Sequence, residues 1–322
     1  MHDRRTRDKR CTYVVVIDQA NRTTAQLRDL SQYLSTLGVA GCDVVILDNA
    51  PHLQFELSAR ILRWVGRHIA VRGEEVVRAA ATFAACEKVI VAAEDVRYTP
   101  EAIGQICDLL EVHEVVEPQD YLEPLPWWGG IEAGRILVHR AIDGQPDHGA
   151  TFGFRRAAIR TVLRGAHAPD PQDDPVRQLA GAGAEVFPAG SVFVRRQPGA
   201  FDDWLDRQPR IASRDFVLPV KTAFFFALLP LLLLLGVLGG LQIATGYAGL
   251  IAFATIALAM RGRVGATTFF PLHACFFAPL WVFERSLSVY WALFRKLRGT
   301  DTVVANEHVP TPGFTSTSAR HG

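Results

Sequence analysis

The feature that most constrains the fold of this chain is a change in composition near residue 216. Up to that point charged and apolar segments alternate as in a soluble protein, whereas from residue 216 to about residue 294 charge almost disappears. Residues 219–244 carry one charge, Lys221, at their leading edge, and they exceed the ~20 apolar residues that a helix needs to cross a bilayer. The sequence therefore predicts a soluble domain followed by a membrane domain over residues 216–298.

The membrane domain is predicted to contain three apolar helices, at about residues 219–244, 246–260 and 269–294. The uncharged segment TGYAG predicts a tight turn between the first two. Basic residues flank the outer ends of this pair: Arg210, Arg214, Lys221, Arg261 and Arg263. Because loops rich in Lys and Arg stay in the cytosol, the pattern predicts a multi-pass protein of the inner cell membrane with its soluble domain in the cytosol.

The third apolar stretch has two interpretations. It contains Pro271 and Pro279, and the pair Glu284-Arg285 interrupts it. A full crossing would place the basic residues that follow it outside, against the positive-inside rule, whereas an interfacial helix would keep them inside. We favour two spans and one interfacial helix. The alternative of a buried hairpin in a soluble protein is opposed by the uninterrupted leucine run.

Charge and cysteine content exclude several classes of protein. With 34 Lys and Arg against 33 Asp and Glu, the formal net charge of +1 gives no basis for nucleic-acid binding. The five cysteines are an odd number without a CxxC pair, which argues against a disulfide framework and a zinc site. They suit a reducing compartment. The basic residues 1–11 and the polar residues 299–322 are predicted to be disordered tails.

Within the soluble part, short β-branched segments alternate with amphipathic ones. Strands are predicted in TYVVVID, in CDVVILDNAP and at residues 88–91, each followed by a helical pattern. This βαβαβ order predicts an α/β fold with a parallel sheet and helices on its faces. The first strand is not followed by GxGxxG, and GxxxxGK[ST] is absent from the sequence, which excludes dinucleotide oxidoreductases and P-loop NTPases.

Acidic residues stand where the predicted strands end. Asp18, Asp48 and the pair Glu94-Asp95 would all lie at the carboxyl edge of the sheet, where open α/β sheets bind ligands. Without a glycine-rich loop, this edge needs another way to hold the phosphates of a nucleotide. A divalent cation held by carboxylates neutralises a diphosphate, so the pattern predicts Mg²⁺ or Mn²⁺ as cofactor.

Several segments of the soluble part resemble a known family. VVVIDQAN, VVILDNAP, VIVAAEDVRYTPEAI, EPQDYLEPLPWW and ATFGFRRAAI are similar to segments of the inverting family 2 glycosyltransferases of GT-A fold. The likeness is greatest to bacterial membrane-anchored members related to ceramide glucosyltransferase. It covers roughly residues 12–215, and it implies a GT-A domain, a Rossmann-like nucleotide-diphospho-sugar transferase fold, over that range.

The resemblance implies roles for individual residues. It places Asp48 and Asn21 on the nucleotide, and Glu94 and Asp95 on the metal-binding D-x-D motif. Trp127 and Trp128, in PWWGGIEAGR, fall on the acceptor side. Asp173 and Asp174 fall near the acidic pair that supplies the general base. The stretch that contacts the diphosphate corresponds to Arg207, Gln208 and Arg210.

Some positions depart from the family pattern, and each candidate has an alternative interpretation. The first Asp of D-x-D is Ala93, and counting back from Gly183 puts the acidic pair nearer residues 171–172 than at Asp173 and Asp174. Asp95 also suits a helix cap or a solvated loop acid. The two acids before Pro175 also suit a helix start. Tryptophans also pack in cores.

The resemblance therefore implies an inverting glycosyltransferase of hexosyltransferase type. It would move a sugar from a nucleotide diphosphate sugar to a lipid or lipid-linked acceptor at the cytosolic membrane face. Ala93 keeps a second hypothesis open, a catalytically degenerate relative that acts as a membrane-bound scaffold or binding subunit. A nucleotidyltransferase would need a basic, glycine-rich first loop, and DQANRTT contains no glycine.

Overall fold

The computed structural model describes residues 9–17, 23–71, 76–142, 151–165, 175–202, 204–205, 208 and 219–298. The predicted tails at residues 1–11 and 299–322 lie almost entirely outside these ranges. The chain divides into two compact units. The sheet unit comprises residues 1–199 and 250–281, and the second unit comprises residues 200–249 and 282–322. The predicted boundary at residues 215 and 216 stays a prediction.

The sheet unit is built on one eight-stranded sheet with the order β3-β2-β1-β4-β7-β6-β8-β5. The strands are β1 Cys11–Ile17, β2 Cys42–Asp48, β3 Arg67–Ala70, β4 Lys88–Ala93, β5 Val96–Arg97, β6 Val115–Leu122, β7 Thr151–Arg155 and β8 Val186–Arg196. β1 to β4 are mutually parallel, as predicted. The α/β class is confirmed, but the sheet is mixed, because β7 and β5 run antiparallel to their neighbours.

Helices cover both faces of this sheet because successive strand residues point to opposite sides. The helices of the sheet region are α1 Thr24–Val39, α2 His52–Leu62, α3 Val76–Phe83, α4 Pro100–Leu109, α5 Gly129–Ile142, α6 Arg156–Gly165 and α7 Pro175–Gly181. Val44 and Ile46 join the core that contains the buried leucines of α1. Val45 and Leu47 join the opposite core, with the alanines of α3.

The start of α4 illustrates how local sequence sets an element. Thr99 is its N-cap, and its side chain accepts a hydrogen bond from the backbone N–H of Ala102 at 3.2 Å. Pro100 occupies the first turn, where its missing N–H costs nothing. The Thr-Pro pair after Arg97-Tyr98 therefore begins a helix, as its sequence predicts. This helix start fixes where the connection after β5 ends.

The third predicted apolar stretch begins on the sheet unit. A 3-10 helix, Leu272–Phe277, precedes the helix Ala278–Leu297, which we name α9. The 3-10 helix packs on α5, where a Cβ added to Gly134 would lie 2.7 Å from the backbone nitrogen of Ala278. The ring of Phe269 stacks on that of Phe193 with centroids 4.1 Å apart. Residues 269–281 are thus packed on the sheet unit.

The remaining helical element, α8, spans Pro219–Gly262 and contains a break at Gly240, whose φ of 79° is not helical. A Cβ added to Gly236 would lie 3.6 Å from the Cβ of Ala244, although residues eight apart in a straight helix are separated by about 12 Å. The chain therefore turns sharply at Gly240. The turn predicted at TGYAG is wrong, because residues 245–249 are helical.

One helical element of the described chain, residues 222–262, is long and apolar enough to cross a membrane. Only 11% of its most apolar window is buried, so its leucine and phenylalanine side chains are largely exposed. A multi-pass arrangement is not confirmed, because only one helical element of the described residues has the length and apolar composition needed to cross a membrane. Each part of α8 on either side of Gly240 has about twenty residues, near the length that a span needs.

Candidate functional site

Three strands of the sheet bring charged residues to one edge. β7 is antiparallel to both β4 and β6, and β8 is parallel to β6, so β4, β6 and β8 run in the same direction. Their carboxyl ends carry Asp95, just after β4, Asp120 near the end of β6, and Arg196 at the end of β8. This is the edge at which open α/β sheets place their ligand sites.

Arg196 joins the two carboxylates. Its Nε donates to Asp95 Oδ2 at 2.8 Å, and its Nη1 lies 3.5 Å from Asp120 Oδ2. Backbone pairing holds the arginine in place, because Arg196 pairs with Val96 on one side and Leu122 on the other. Next to it, the N–H of Gln197 donates to the backbone oxygen of Asp95 at 2.8 Å. The ion pair is therefore built into the ends of three strands.

The electrostatics of this group follow from its burial. Burial raises the pKa of the Asp120 carboxyl above its ordinary value, and the nearby Arg196 guanidinium offsets only part of that shift. Burial alone would lower the pKa of Arg196, but the carboxylates of Asp95 and Asp120 reverse this and hold it above its ordinary value. Arg196 is consequently a permanent cation at this edge.

Two buried side-chain oxygens, one of the ion pair itself and one of the residue that precedes Asp120, lack a hydrogen-bond partner within the described part of the chain. They are Asp95 Oδ1 and Gln119 Oε1. Gln119 is fully buried, and its amide nitrogen donates to the backbone oxygen of Asp120 at 3.1 Å. Unsatisfied buried oxygens are costly, so Asp95 Oδ1 is available for a further partner.

The metal ligands that the sequence predicts are only partly assembled. Across the described residues, no group of three or more His, Cys, Asp or Glu side chains could hold a metal ion. Asp95 nevertheless offers one free oxygen, Oδ1, and Mg²⁺ is often held by one or two carboxylates together with phosphate oxygens and water. Glu94 is 6% exposed beside it. The residues thus fit a divalent cation that a bound diphosphate helps to hold.

Asp48 lies at the same edge, at the end of β2, but its carboxylate is 1% exposed and already hydrogen-bonded. Oδ1 accepts from the N–H of Ala50 at 2.9 Å, and Oδ2 accepts from the Ser58 hydroxyl. The Nε2 of His68 lies 2.9 Å from Oδ2. β1 separates β2 from β4, so Asp48 is about 10 Å across the sheet from the Asp95 side.

The aromatic and amide candidates have different environments. Trp127 is 65% exposed in the turn before α5, whereas Trp128 is 7% exposed. On α5 itself, Arg135 Nε donates to Glu132 Oε2 at 3.2 Å, and both residues act electrostatically on Asp120. Gln208 belongs to the second unit, where it is 3% exposed. The segment predicted to face the acceptor therefore lies near Asp120 through Glu132 and Arg135 of α5.

The remaining predicted site residues lie outside the described residues. They are Asp18, Asn21, Asp173, Asp174, Arg207 and Arg210. Their roles on the nucleotide, as general base and on the diphosphate stay predictions.

Arg196 and Asp120 are the members of the site that sequence reasoning missed. Arg196 ends β8, whose last residues are VFVRR, whereas Asp120 lies within β6 in the polar segment EPQD. Arg196 therefore carries the strand-end signal that identified Asp48 and Asp95, and Asp120 does not. What the sequence lacks is the order of β6 and β8 in the sheet, which brings residues 101 positions apart into contact.

No protein-family model and no curated protein matches the sequence. Among solved structures, the chain is similar to the mannosyltransferase PcManGT from Pyrobaculum calidifontis in complex with GDP-Man and Mn²⁺, at 13% identity over 87% of each chain with a TM-score of 0.46. It is also similar to glucosyl-3-phosphoglycerate synthase from Mycobacterium tuberculosis in complex with Mn²⁺, UDP and glucosyl-3-phosphoglycerate. That match has 14% identity over 65% of this chain and 81% of the other, with a TM-score of 0.37. Such identities do not carry the activity of those proteins to this chain.

Proposed function

We propose that this protein is a membrane-anchored glycosyltransferase of GT-A type, related to family 2. It would transfer a hexosyl group from a nucleotide diphosphate sugar, with inversion, to a lipid or lipid-linked acceptor at the cytosolic face of the inner membrane. The observation that carries the proposal is Asp95, whose buried Oδ1 has no partner within the described residues at the carboxyl edge of the sheet.

Different residues of the chain would bind the metal, the diphosphate and the nucleoside of the donor. Asp95, with Glu94 beside it, would hold a divalent cation, while Arg196 holds Oδ2 of Asp95. A bound Mg²⁺ or Mn²⁺ would neutralise the charge that develops on the departing diphosphate. Arg207, Gln208 and Arg210 would contact that diphosphate, since arginine and amide donors suit phosphate oxygens. Asp48 and Asn21 would position the nucleoside.

The acceptor half of the reaction needs a base and a binding surface. Asp173 or Asp174 would take the proton from the acceptor hydroxyl as it attacks the anomeric carbon, and one carboxylate suffices for an inverting displacement. Trp127, with its largely exposed ring, would contact a sugar or the apolar part of the acceptor, and Trp128 would support it. Such a site meets a lipid acceptor most directly when it is held at the bilayer surface.

The membrane part of the proposal is supported by the exposed apolar side chains of α8. Leu233 is 70% exposed and Leu238 is 76% exposed, in a helix whose composition would otherwise favour burial. We propose that the parts of α8 before and after Gly240 form two spans, and that α9 lies at the interface.

The test is a donor screen on the full chain purified in detergent. We expect at least one UDP- or GDP-sugar to raise the melting temperature and to be hydrolysed slowly when Mn²⁺ is present. Asp95→Ala should weaken metal-dependent donor binding by about tenfold or more, equivalent to about 1.4 kcal/mol. Asp108→Ala, which removes an exposed carboxylate from α4, is the matched control and should behave as the parent.

Equal donor binding and hydrolysis in Asp95→Ala and the parent would remove Asp95 from the mechanism. If no nucleotide sugar changes the melting temperature, the second candidate function gains support. That candidate is a scaffold or binding subunit that keeps the fold without the activity. Two observations favour it: Ala93 replaces an acid of D-x-D, and Arg196 already occupies one oxygen of Asp95.

A further inference from the structure

The two oxygens of the Asp95 carboxylate have different partners. Oδ2 accepts a charge-assisted hydrogen bond from Arg196 Nε at 2.8 Å. Oδ1 is buried and has no partner in the described part of the chain. A carboxylate shared in this way can present Oδ1 to a second cation, but the guanidinium on Oδ2 already neutralises its charge.

The guanidinium cannot easily leave this position. Arg196 ends β8 between Val96 and Leu122, and its side chain is 22% exposed. Its other neighbour is Asp120, 8% exposed at the side chain and 3.5 Å away. A small rotation of the guanidinium toward Asp120 would keep it paired while it releases Asp95. The arginine therefore has an alternative partner within the same group.

Arg196 weakens the attraction of this group for a free divalent ion, because it cancels one of the negative charges of the two carboxylates. Asp95 and Asp120 carry two negative charges around the one cation, Arg196. Ala93 adds no third carboxylate, although a complete D-x-D motif has an acid at that position. A divalent ion placed on Asp95 Oδ1 would be repelled by Arg196 a few ångströms away. A bound diphosphate would supply further negative charge, which would offset this repulsion.

From this geometry we propose that Arg196 is a resident cation that competes with a divalent metal for Asp95. In the absence of nucleotide it holds Asp95 and keeps metal affinity low. When a diphosphate arrives with the metal, Asp95 turns to the metal and Arg196 keeps its pairing with Asp120. The inference rests on the proposed function, because it concerns the metal that would serve the nucleotide sugar. By linkage, nucleotide and metal must then raise each other's affinity equally.

The test measures Mn²⁺ binding by electron paramagnetic resonance, with the full chain in detergent and without any sugar donor. Arg196→Gln removes the competing charge and keeps a polar side chain of similar length. We expect it to bind Mn²⁺ about tenfold more tightly than the parent or better, equivalent to about 1.4 kcal/mol. Adding UDP should tighten Mn²⁺ binding strongly in the parent and much less in the variant.

Arg195→Gln is the matched control. Arg195 is the neighbouring residue on β8, 43% exposed at the side chain, with its Nε 3.6 Å from Glu123 Oε2. Its removal also deletes one positive charge, but at a position without contact to Asp95, so Mn²⁺ affinity should stay near that of the parent. The double variant Arg196→Gln with Asp95→Ala should not show the tighter Mn²⁺ binding expected of Arg196→Gln alone.

A second variant keeps the inference falsifiable if Arg196→Gln does not fold. Asp120→Asn removes the alternative partner of Arg196, so Asp95 would be held more firmly and Mn²⁺ binding without nucleotide should weaken. Unchanged or weaker Mn²⁺ binding in a folded Arg196→Gln, or tighter binding in Asp120→Asn, would overturn the proposal. Failure of every variant to bind Mn²⁺ would also overturn it.

The outcomes separate this inference from the proposed function. Donor binding with unchanged Mn²⁺ affinity in Arg196→Gln overturns the competition and leaves the glycosyltransferase proposal standing. Tight Mn²⁺ binding in Arg196→Gln, together with no stabilisation by any nucleotide sugar, supports the competition and opposes the proposed function.

Discussion

At the scale of single residues, Asp48 shows how a strand-end acid can be bound entirely by its own protein. The Ala50 N–H, the Ser58 hydroxyl and His68 all lie within hydrogen-bond distance of its two oxygens. Burial alone would raise the pKa of Asp48, but these three partners more than offset it and hold the pKa below its ordinary value. A nucleotide that contacts this carboxylate would have to share it with them.

Replacing Asp48 with Asn tests this arrangement. The shape is kept while the charge that strengthens the hydrogen bonds from Ser58 and His68 is lost, so we expect a loss of about 1–3 kcal/mol in unfolding free energy at neutral pH. The measurement is thermal or denaturant unfolding in detergent. Asp108→Asn is the control on an exposed carboxylate.

The pH dependence of the same variant gives an independent readout. The folded pKa of Asp48 lies below the unfolded value of about 3.9, so its stabilisation is complete above roughly pH 4 and is lost as pH falls through the folded pKa. The difference between parent and Asp48→Asn should therefore shrink on acidification. A variant as stable as the parent that binds nucleotide poorly would instead make Asp48 a ligand contact.

Sequence patterns located this acid but not its partners. A run of β-branched residues that ends in Asp48 is a local signal, and the structure places that residue at the end of β2. Ser58 and His68 come from α2 and β3, and Arg196 reaches Asp95 from 101 positions away. Contacts of this kind depend on strand order and helix placement, which the periodicity of single segments does not contain.

At the scale of elements, α5 and the segment that follows α8 are closely packed. A Cβ on Gly130 would lie 2.8 Å from the Phe277 ring, and a Cβ on Gly134 would lie 2.7 Å from the Ala278 nitrogen. Two glycines four residues apart lie on one face of a helix, so they let the two backbones approach. The segment PWWGGIEAGR was predicted to lie on the acceptor side. In the structure, its glycines at positions 130 and 134 allow this close packing.

Gly134→Ala and Gly104→Ala form a matched pair of helix substitutions. Alanine favours a helix by up to ~1 kcal/mol over glycine, and a Cβ on Gly104 in α4 would meet nothing within 4 Å, so Gly104→Ala should stabilise the protein. At Gly134 the added methyl meets backbone, so we expect a net loss of about 1–3 kcal/mol from overpacking. Unfolding in detergent measures both. A gain in stability at Gly134 would show that this contact is loose.

At the scale of the whole molecule, composition predicted the apolar region but not its geometry. Charge depletion after residue 216 is a property of a long window, so it survives errors in individual elements. The position of the turn cannot be predicted in this way, because it depends on a single residue, Gly240. Its φ is positive, and few residues other than glycine adopt such a φ. TGYAG contains turn-forming residues and is nevertheless helical.

The membrane proposal is tested by placing charge in the first part of α8. Leu233 and Leu234 are 70% and 52% exposed, and lysine near the centre of a spanning helix costs about 2.5–3.5 kcal/mol per residue on insertion scales. We expect the parent to stay with membranes through an alkaline carbonate wash, and Leu233→Lys with Leu234→Lys to be released by it. The control is Leu53→Lys with Leu57→Lys, two leucines of α2 that are 81% and 39% exposed. If they face water rather than lipid, their replacement leaves membrane retention unchanged, because a soluble surface accepts charge at little cost. Equal retention of both double variants would mean that α8 is not what holds the protein at the membrane.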